Sequence, residues 1–273
     1  MDELEHLKQS ILTEYPRLLK EDRISFMCGP QLVCFNHCCA DVNIFLTPYD
    51  VLRLRRTLKI GATDFLARHT IVPFDKNQRL PIPLLKMNDT ERKECPFVDE
   101  KAGCTVYNDR PWPCRMYPLG VASPGGKQTR ESEEFFFLLQ DDFCLGLKSE
   151  RNLTITEWLE EQETAPYEAF GELYKELTLD EALAQGAVLS PMQIDMYWKA
   201  LYDLDGFRAF VFQSSFLSRF EIGADEVAQL QSDDEALLRF GFKWLQMALF
   251  KRPSLKARHG ATLSVKKSAA PHA

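Results

Sequence analysis

The sequence predicts an α+β fold: a small cysteine-rich metal-binding core with short strands, flanked by helices, and a mostly helical C-terminal half. Two observations predict it. All eight cysteines lie between Cys28 and Cys144, in a region broken by prolines into short apolar pieces, while residues 145–273 contain none. The cysteine-free half instead carries apolar and aromatic residues at helical spacing. With 273 residues, 45% hydrophobic and 27% charged, the chain can bury a core without covalent staples.

The elements follow in order. Leu4, Leu7, Ile11, Leu12 and Leu18 fit an amphipathic helix over 3–20. Thr47-Pro48-Tyr49-Asp50 reads as a cap, a first-turn proline and a first-turn acid, opening a helix that stops near Gly61. Thr63 or Asp64 opens a second, short helix to His69. Pro73, Pro81 and Pro83 confine residues 71–88 to short or edge strands, because proline lacks the ladder donor. Pro124-Gly125-Gly126 is a turn, and Phe-rich Glu134–Gln140 a buried strand. Beyond 150 the pattern is helical. Thr156 caps one helix and Ser190-Pro191 opens the next, which Asp205-Gly206 interrupts; a last stripe from Leu237 to Leu249 ends near Arg252-Pro253. The aromatic stripes read as core. These elements imply a cysteine-cluster region with its N-terminal helix over 1–148, a helical region packed on it over 149–252, and a flexible basic tail over 253–273.

The formal net charge is −7, although residues 251–273 hold six basic side chains and no acid. An acidic body disfavours a nucleic-acid partner. The acidic start Met1-Asp2-Glu3-Leu4-Glu5 is unlike a secretory signal, and no apolar run approaches the roughly 20 residues of a membrane helix. The expectation is a cytoplasmic protein with no membrane or nucleic-acid partner, its protein partner unknown. Reducing surroundings disfavour four disulfides and point the cysteines to metal or redox chemistry.

Their spacing is Cys28-x5-Cys34-x3-Cys38-Cys39, then Cys95-x8-Cys104-x9-Cys114, then Cys144. There is no C-x2-C pair of the kind zinc ribbons use. Consecutive side chains such as Cys38 and Cys39 diverge and suit one zinc ion poorly. An iron–sulfur cluster is larger and accepts thiolates from scattered points. An iron–sulfur cluster, [4Fe–4S] in type, is therefore the leading cofactor, with zinc and metal-free thiol chemistry as alternatives. The site needs at least some of Cys28, Cys34, Cys38, Cys39, Cys95, Cys104, Cys114 and Cys144. His37 lies inside the first block and reads as a loop residue rather than a ligand, as His69 reads as a helix end. The run from Gly120 to Gln128 misses the phosphate-loop spacing, and no dinucleotide, nucleophile-elbow or zinc-protease motif occurs.

The second block is the most specific stretch. Cys104, Tyr107, Arg110, Pro111, Cys114, Arg115, Tyr117 and Pro118 fit C-x-x-Y-x-x-R-P-x-x-C-R-x-Y-P, and Cys34, Cys38 and Cys39 fit an upstream run ending in Cys-Cys. Over residues 25–145 the chain resembles the YkgJ-type cysteine-cluster family of zinc- or iron-chelating domains. Cys28, separated from Cys34 by five residues, departs from the tighter spacing usual there. The Tyr202-x-Leu204-x-x-Phe207-Arg208 stretch is similar to a helical extension of some members. The resemblance implies metal or cluster binding without supplying a reaction; a related cluster occurs in flagellin lysine-N-methylases, which leaves an enzyme role open. On this reading the first ligands are Cys34, Cys38 or Cys39, Cys104 and Cys114, with Cys95 next and Cys28 and Cys144 last; eight thiols suffice for two four-thiolate sites, but one principal cluster is favoured because Cys38 and Cys39 suit the same metal atom poorly. Arg110 and Arg115 either offset its charge and donate to sulfur, or hold the loop by ordinary salt bridges. Tyr107 and Tyr117 read as packing residues.

Overall fold

The computed structural model of the chain describes residues 15–73, 80–122 and 134–258. Eleven α-helices and four separate antiparallel strand pairs make up the described residues, an α+β fold.

The strand pairs are short because prolines and turns interrupt them. β1 (Arg23–Ser25) pairs with β8 (Asn152–Thr154), joining the start of the described chain to the entrance of the helical half. β2 (Thr70–Ile71) pairs with β3 (Leu84–Leu85), and β4 (Val98–Asp99) with β5 (Gly103–Cys104). β6 (Leu119–Ala122) pairs with β7 (Phe135–Leu138), Leu119 opposite Leu138. The predicted Phe-rich strand is thus present, and the Pro124-Gly125-Gly126 turn falls outside the described residues.

Helix α1 (Pro48–Leu58) starts where the Thr47 cap predicts it: Thr47 and Asp50 form a reciprocal capping box, and Lys59 ends it in the left-handed region. α2 (Ala62–His69) follows, capped at Gly61 rather than at Thr63 or Asp64. α3 (Trp112–Met116) is the short helix of the second cysteine block. The second half contains α4 (Ile155–Glu161), α5 (Ala165–Thr178), α6 (Glu181–Ala184), α7 (Pro191–Leu201), α8 (Leu204–Gln213), α9 (Phe216–Arg219), α10 (Ala224–Ser232) and α11 (Asp234–Phe250).

Four local expectations shift. Of the helix predicted over 3–20, the described part is not helical: Leu18 exchanges both backbone hydrogen bonds with Phe136, at 2.8 and 2.9 Å. The rest lies outside the described residues. Thr154, not Thr156, caps α4, because Glu157 completes its box. The break between α7 and α8 comes at Tyr202-Asp203, and Asp203 then caps α8 by accepting from the Gly206 amide at 3.2 Å. Finally, the chain just after α11 folds back. Glu221 donates to the Lys256 carbonyl and Arg258 to the Arg219 carbonyl, each at 2.8 Å.

Two hydrophobic clusters hold these elements. The larger joins α1 (Leu46, Tyr49, Leu52, Leu54 around and within it) to Tyr197, Leu201, Phe207 and Leu245 of the helical half. Arg55 clamps the same junction. It is buried and paired with Asp234 at 2.5 Å and Asp205 at 3.4 Å, so its charge is matched where water is excluded. The smaller cluster packs Ile24, Phe26, Met116, Leu119, Phe136 and Trp158. The cysteines sit between and beside these clusters. Among the described residues no helix is long and apolar enough to cross a membrane.

Candidate metal centre

The first cysteine block is a chain of tight turns. Leu32, Phe35, His37 and Cys39 each donate to a carbonyl three residues back, at 2.9–3.1 Å. Asn36 sits at φ 65, a left-handed conformation that asparagine tolerates, and leads into the single 3₁₀ turn His37–Cys39. Successive cysteines therefore emerge on different sides of the loop.

The second block approaches it through the backbone. The Cys95 amide donates to the Cys39 carbonyl at 2.8 Å, and Ala40 bridges Glu94. Cys95 leads into the β4–β5 hairpin, where Val98 lies opposite Cys104. Gly103 makes that hairpin and contact feasible. It has φ +82, and a Cβ there would stand 2.8 Å from the Phe35 ring of the first block. Helix α3 then presents Cys114. Its first-turn Trp112 amide donates to Asp50 Oδ1 at 2.7 Å, while Asp50 Oδ2 accepts from the Thr47 amide and hydroxyl, each at 2.7 Å. One buried carboxylate thus caps α1 and α3 together. Burial raises its pKa to about 6, against the lowering effect of the Thr47 and Trp112 hydrogen bonds.

All eight cysteines are free thiols. The Cys28 thiol is pushed up to about 11 by burial and by the nearby Cys38, Cys144 and Cys34. The Cys39 thiol donates to the Cys38 sulfur; that bond holds the Cys38 pKa down and raises that of Cys39, whose other sulfur neighbours are Cys114 and Cys95. Burial raises Cys114 further, aided by Cys95, Cys104 and Asp50. Cys114 keeps an accessible surface even so. Cys95 and Cys104 are raised by burial as well, and each is partly compensated by the amide two residues on, Phe97 and Val106 respectively. The Leu145 amide donates to Cys34 Sγ at 3.3 Å, and the Gly29 amide donates to Cys28. With Cys38, which takes its own amide, five of the eight sulfurs thus accept an amide N–H, a contact that favours thiolate over thiol. Among the described residues no three Cys, His, Asp or Glu side chains already converge at the spacing of a single bound ion.

The arginines hold the loop. Arg115, 2% exposed, donates to the carbonyls of Gln162 at 2.6 Å, Arg110 at 3.2 Å and Asn108, with its guanidinium 4.5 Å from the Tyr167 ring centre. Arg110 donates to the Tyr107 carbonyl and to Gln162, and lies over the Tyr107 ring at 3.9 Å. None of these bonds goes to sulfur, but the Arg110 charge lowers the pKa of Cys104 and Cys114. Tyr117 donates to Asp141 at 3.0 Å, and burial together with Cys144 and Asp141 raises its own pKa.

A cavity of about 660 Å³ opens beside Cys38, walled by His37, Asp41, Tyr117, Asp141 and Phe143. The His37 ring lies 5.0 Å from that of Phe143. His69 is remote from it, packed between Phe65 and Phe97. Sequence reasoning missed Gln162 and the second role of Asp50. Asp50 carries a local signal, its capping box, but nothing local shows that its other oxygen reaches Trp112.

Residues 27–145 match the model of the CxxCxxCC family, described as "Putative zinc- or iron-chelating domain". The match takes in all eight cysteines and less than half of the chain. No curated protein and no solved structure matches. The chain therefore carries a metal-binding cysteine-cluster segment of the zinc- or iron-chelating kind, completed by a helical half that lies outside the match.

Proposed function

We propose that this chain is an iron–sulfur protein acting in a redox or cluster-dependent role. The observation that carries the reading is the donor set. Soft thiols from separate stretches of chain face one another, five of them already accepting amide N–H groups. Such donors select zinc, copper(I) or iron–sulfur over hard cations. Without a cation, adjacent thiolates repel and burial penalises their charge; a bound metal relieves both.

Bound there, an iron–sulfur cluster supplies one-electron transfer. The chain's own residues do the rest. Cys34, Cys38, Cys39, Cys95, Cys104 and Cys114 hold the metal, with Cys28 and Cys144 completing the set. Arg110 offsets negative charge near Cys104 and Cys114, and Arg115 fixes the loop between them. Cys38 lines the cavity, while Cys28 and Cys114 are the exposed thiols a partner meets first.

Protein purified without oxygen tests this. Broad absorption at about 400 nm that bleaches on addition of dithionite is the expected result. A colourless protein holding stoichiometric zinc overturns it and leaves a zinc-stabilised interaction module.

A further inference from the structure

We propose that the eight cysteines form two separate four-thiolate metal centres, one of Cys28, Cys34, Cys38 and Cys144 and the other of Cys39, Cys95, Cys104 and Cys114, divided at the Cys38–Cys39 peptide. The inference rests on the metal-binding reading above and, of the two arrangements that eight thiols allow, replaces the favoured single principal cluster.

Backbone geometry carries the partition. For the first group, the Met27 amide donates to the Gly146 carbonyl at 3.2 Å, laying the residue before Cys28 against the turn that follows Cys144. The Leu145 amide reaches Cys34 Sγ from the same turn. Phe143 lies against His37, which places Cys38 beside that turn as well. Cys144 is buried in the smaller hydrophobic cluster with Phe26, Met116 and Trp158.

The second group is tied together by other bonds. The Cys95 amide donates to the Cys39 carbonyl, and the Val98 amide returns to the Cys95 carbonyl at 3.1 Å, turning the chain into the hairpin that holds Cys104. Asp50 and Arg115 set the helix of Cys114 from behind. Cys95 and Cys104 pack on the larger hydrophobic cluster, not the smaller one. Cys144 of the first group and Cys95 and Cys104 of the second therefore back onto different cores.

Electrostatics agrees with the geometry. The thiol neighbours of Cys28 include Cys38, Cys144 and Cys34, and those of Cys114 include Cys95 and Cys104. Across the divide, the Cys39 thiol donates to the Cys38 sulfur, and Phe35 lies against Gly103. Adjacent residues on a 3₁₀ turn point about 120° apart, so two neighbouring cysteines serve two centres more readily than one. A Cys-Cys pair is then the shared wall of a two-centre site.

The test compares Cys34→Ser, Cys104→Ser and the double variant in the full chain purified without oxygen, reading total zinc and iron per chain. Two centres predict that each single variant keeps part of the wild-type metal, that the two retained parts together equal the wild-type content, and that the double variant keeps none. If either single variant alone loses all the metal, or if one of them loses none, the two-centre proposal falls. A metal-free wild-type chain overturns the metal-binding reading itself, so the two failures are distinguishable. A measurement on wild type alone guards against misfolded variants. Alkylation of the native protein, followed by peptide mass analysis, is expected to spare all eight cysteines until a chelator is added. Sparing of one group of four only, before chelation, refutes the second centre.

Discussion

Replacing Arg115 isolates the positioning of the second cysteine block from its sulfur chemistry. The guanidinium lies almost wholly inside the protein, donates to three carbonyls and faces an aromatic ring. Two of those carbonyls belong to the loop between Cys104 and Cys114, and the third ties that loop to Gln162 after α4. A hydrogen bond from a charged donor contributes about 1.5–3 kcal/mol, but the desolvation of a buried cation offsets much of the sum. Arg115→Ala leaves the carbonyls unpaired and opens a void beside Tyr167, so a loss of about 3–5 kcal/mol is expected. Arg115→Lys keeps the charge and loses the planar fork. One ammonium cannot reach three carbonyls around that arc, and a loss of about 2 kcal/mol is expected. Urea unfolding followed by circular dichroism measures both, and metal content measured alongside is expected to fall in the same order. An Arg115→Lys protein within about 0.5 kcal/mol of wild type, with full metal content, would refute the argument that the fork positions this loop.

Other outcomes follow from the same geometry. Gly103→Ala combines an unfavourable φ with a clash against Phe35, so it is expected to cost about 1–3 kcal/mol in unfolding experiments and to lower metal content by loosening the hairpin of Cys104. Asp50 and Asp109 are expected to give pH effects of opposite sign, measured as urea stability of the chelator-treated protein against pH. The Asp50 pKa is raised to about 6 by burial, so its contribution is present below about pH 4 and lost as pH rises through about 6; Asp50→Asn flattens that fall. Burial works against Asp109, but hydrogen bonds from Thr57 and Arg53 and the Arg53 charge hold its pKa below the usual carboxylate range. Its contribution is therefore present above about pH 4 and lost as pH falls through the depressed value, and Asp109→Asn removes it. Chelation of bound metal is expected to lower the unfolding temperature while most of the helical signal survives below it, because the larger core draws chiefly on cysteine-free helices. An unchanged unfolding temperature would contradict that.

How much of this could be read from the sequence depends on the range of the interaction. Capping is local, so Thr47-Pro48-Tyr49-Asp50 and Ser190-Pro191 announce their helices. Where two hydroxyl residues compete for a cap, as Thr154 and Thr156 do, the choice rests on the partner three residues on, Glu157. The Leu18 segment has helical periodicity but finds its hydrogen bonds on Phe136, more than a hundred residues away. The cysteine site shows the same limit. Spacing brings out the two blocks and the loop between Cys104 and Cys114. The approach of Cys144 to Cys28 and Cys34 depends on a single turn at 144–146. The spending of both arginines on carbonyls depends on Gln162, which no local pattern connects to a cysteine.

The most direct measurement is the iron, zinc and acid-labile sulfide content of the full chain purified without oxygen. The account predicts iron and sulfide in equal amounts, with absorption at about 400 nm. Zinc in their place contradicts the iron–sulfur reading, and a chain free of all three contradicts metal binding by these thiols altogether.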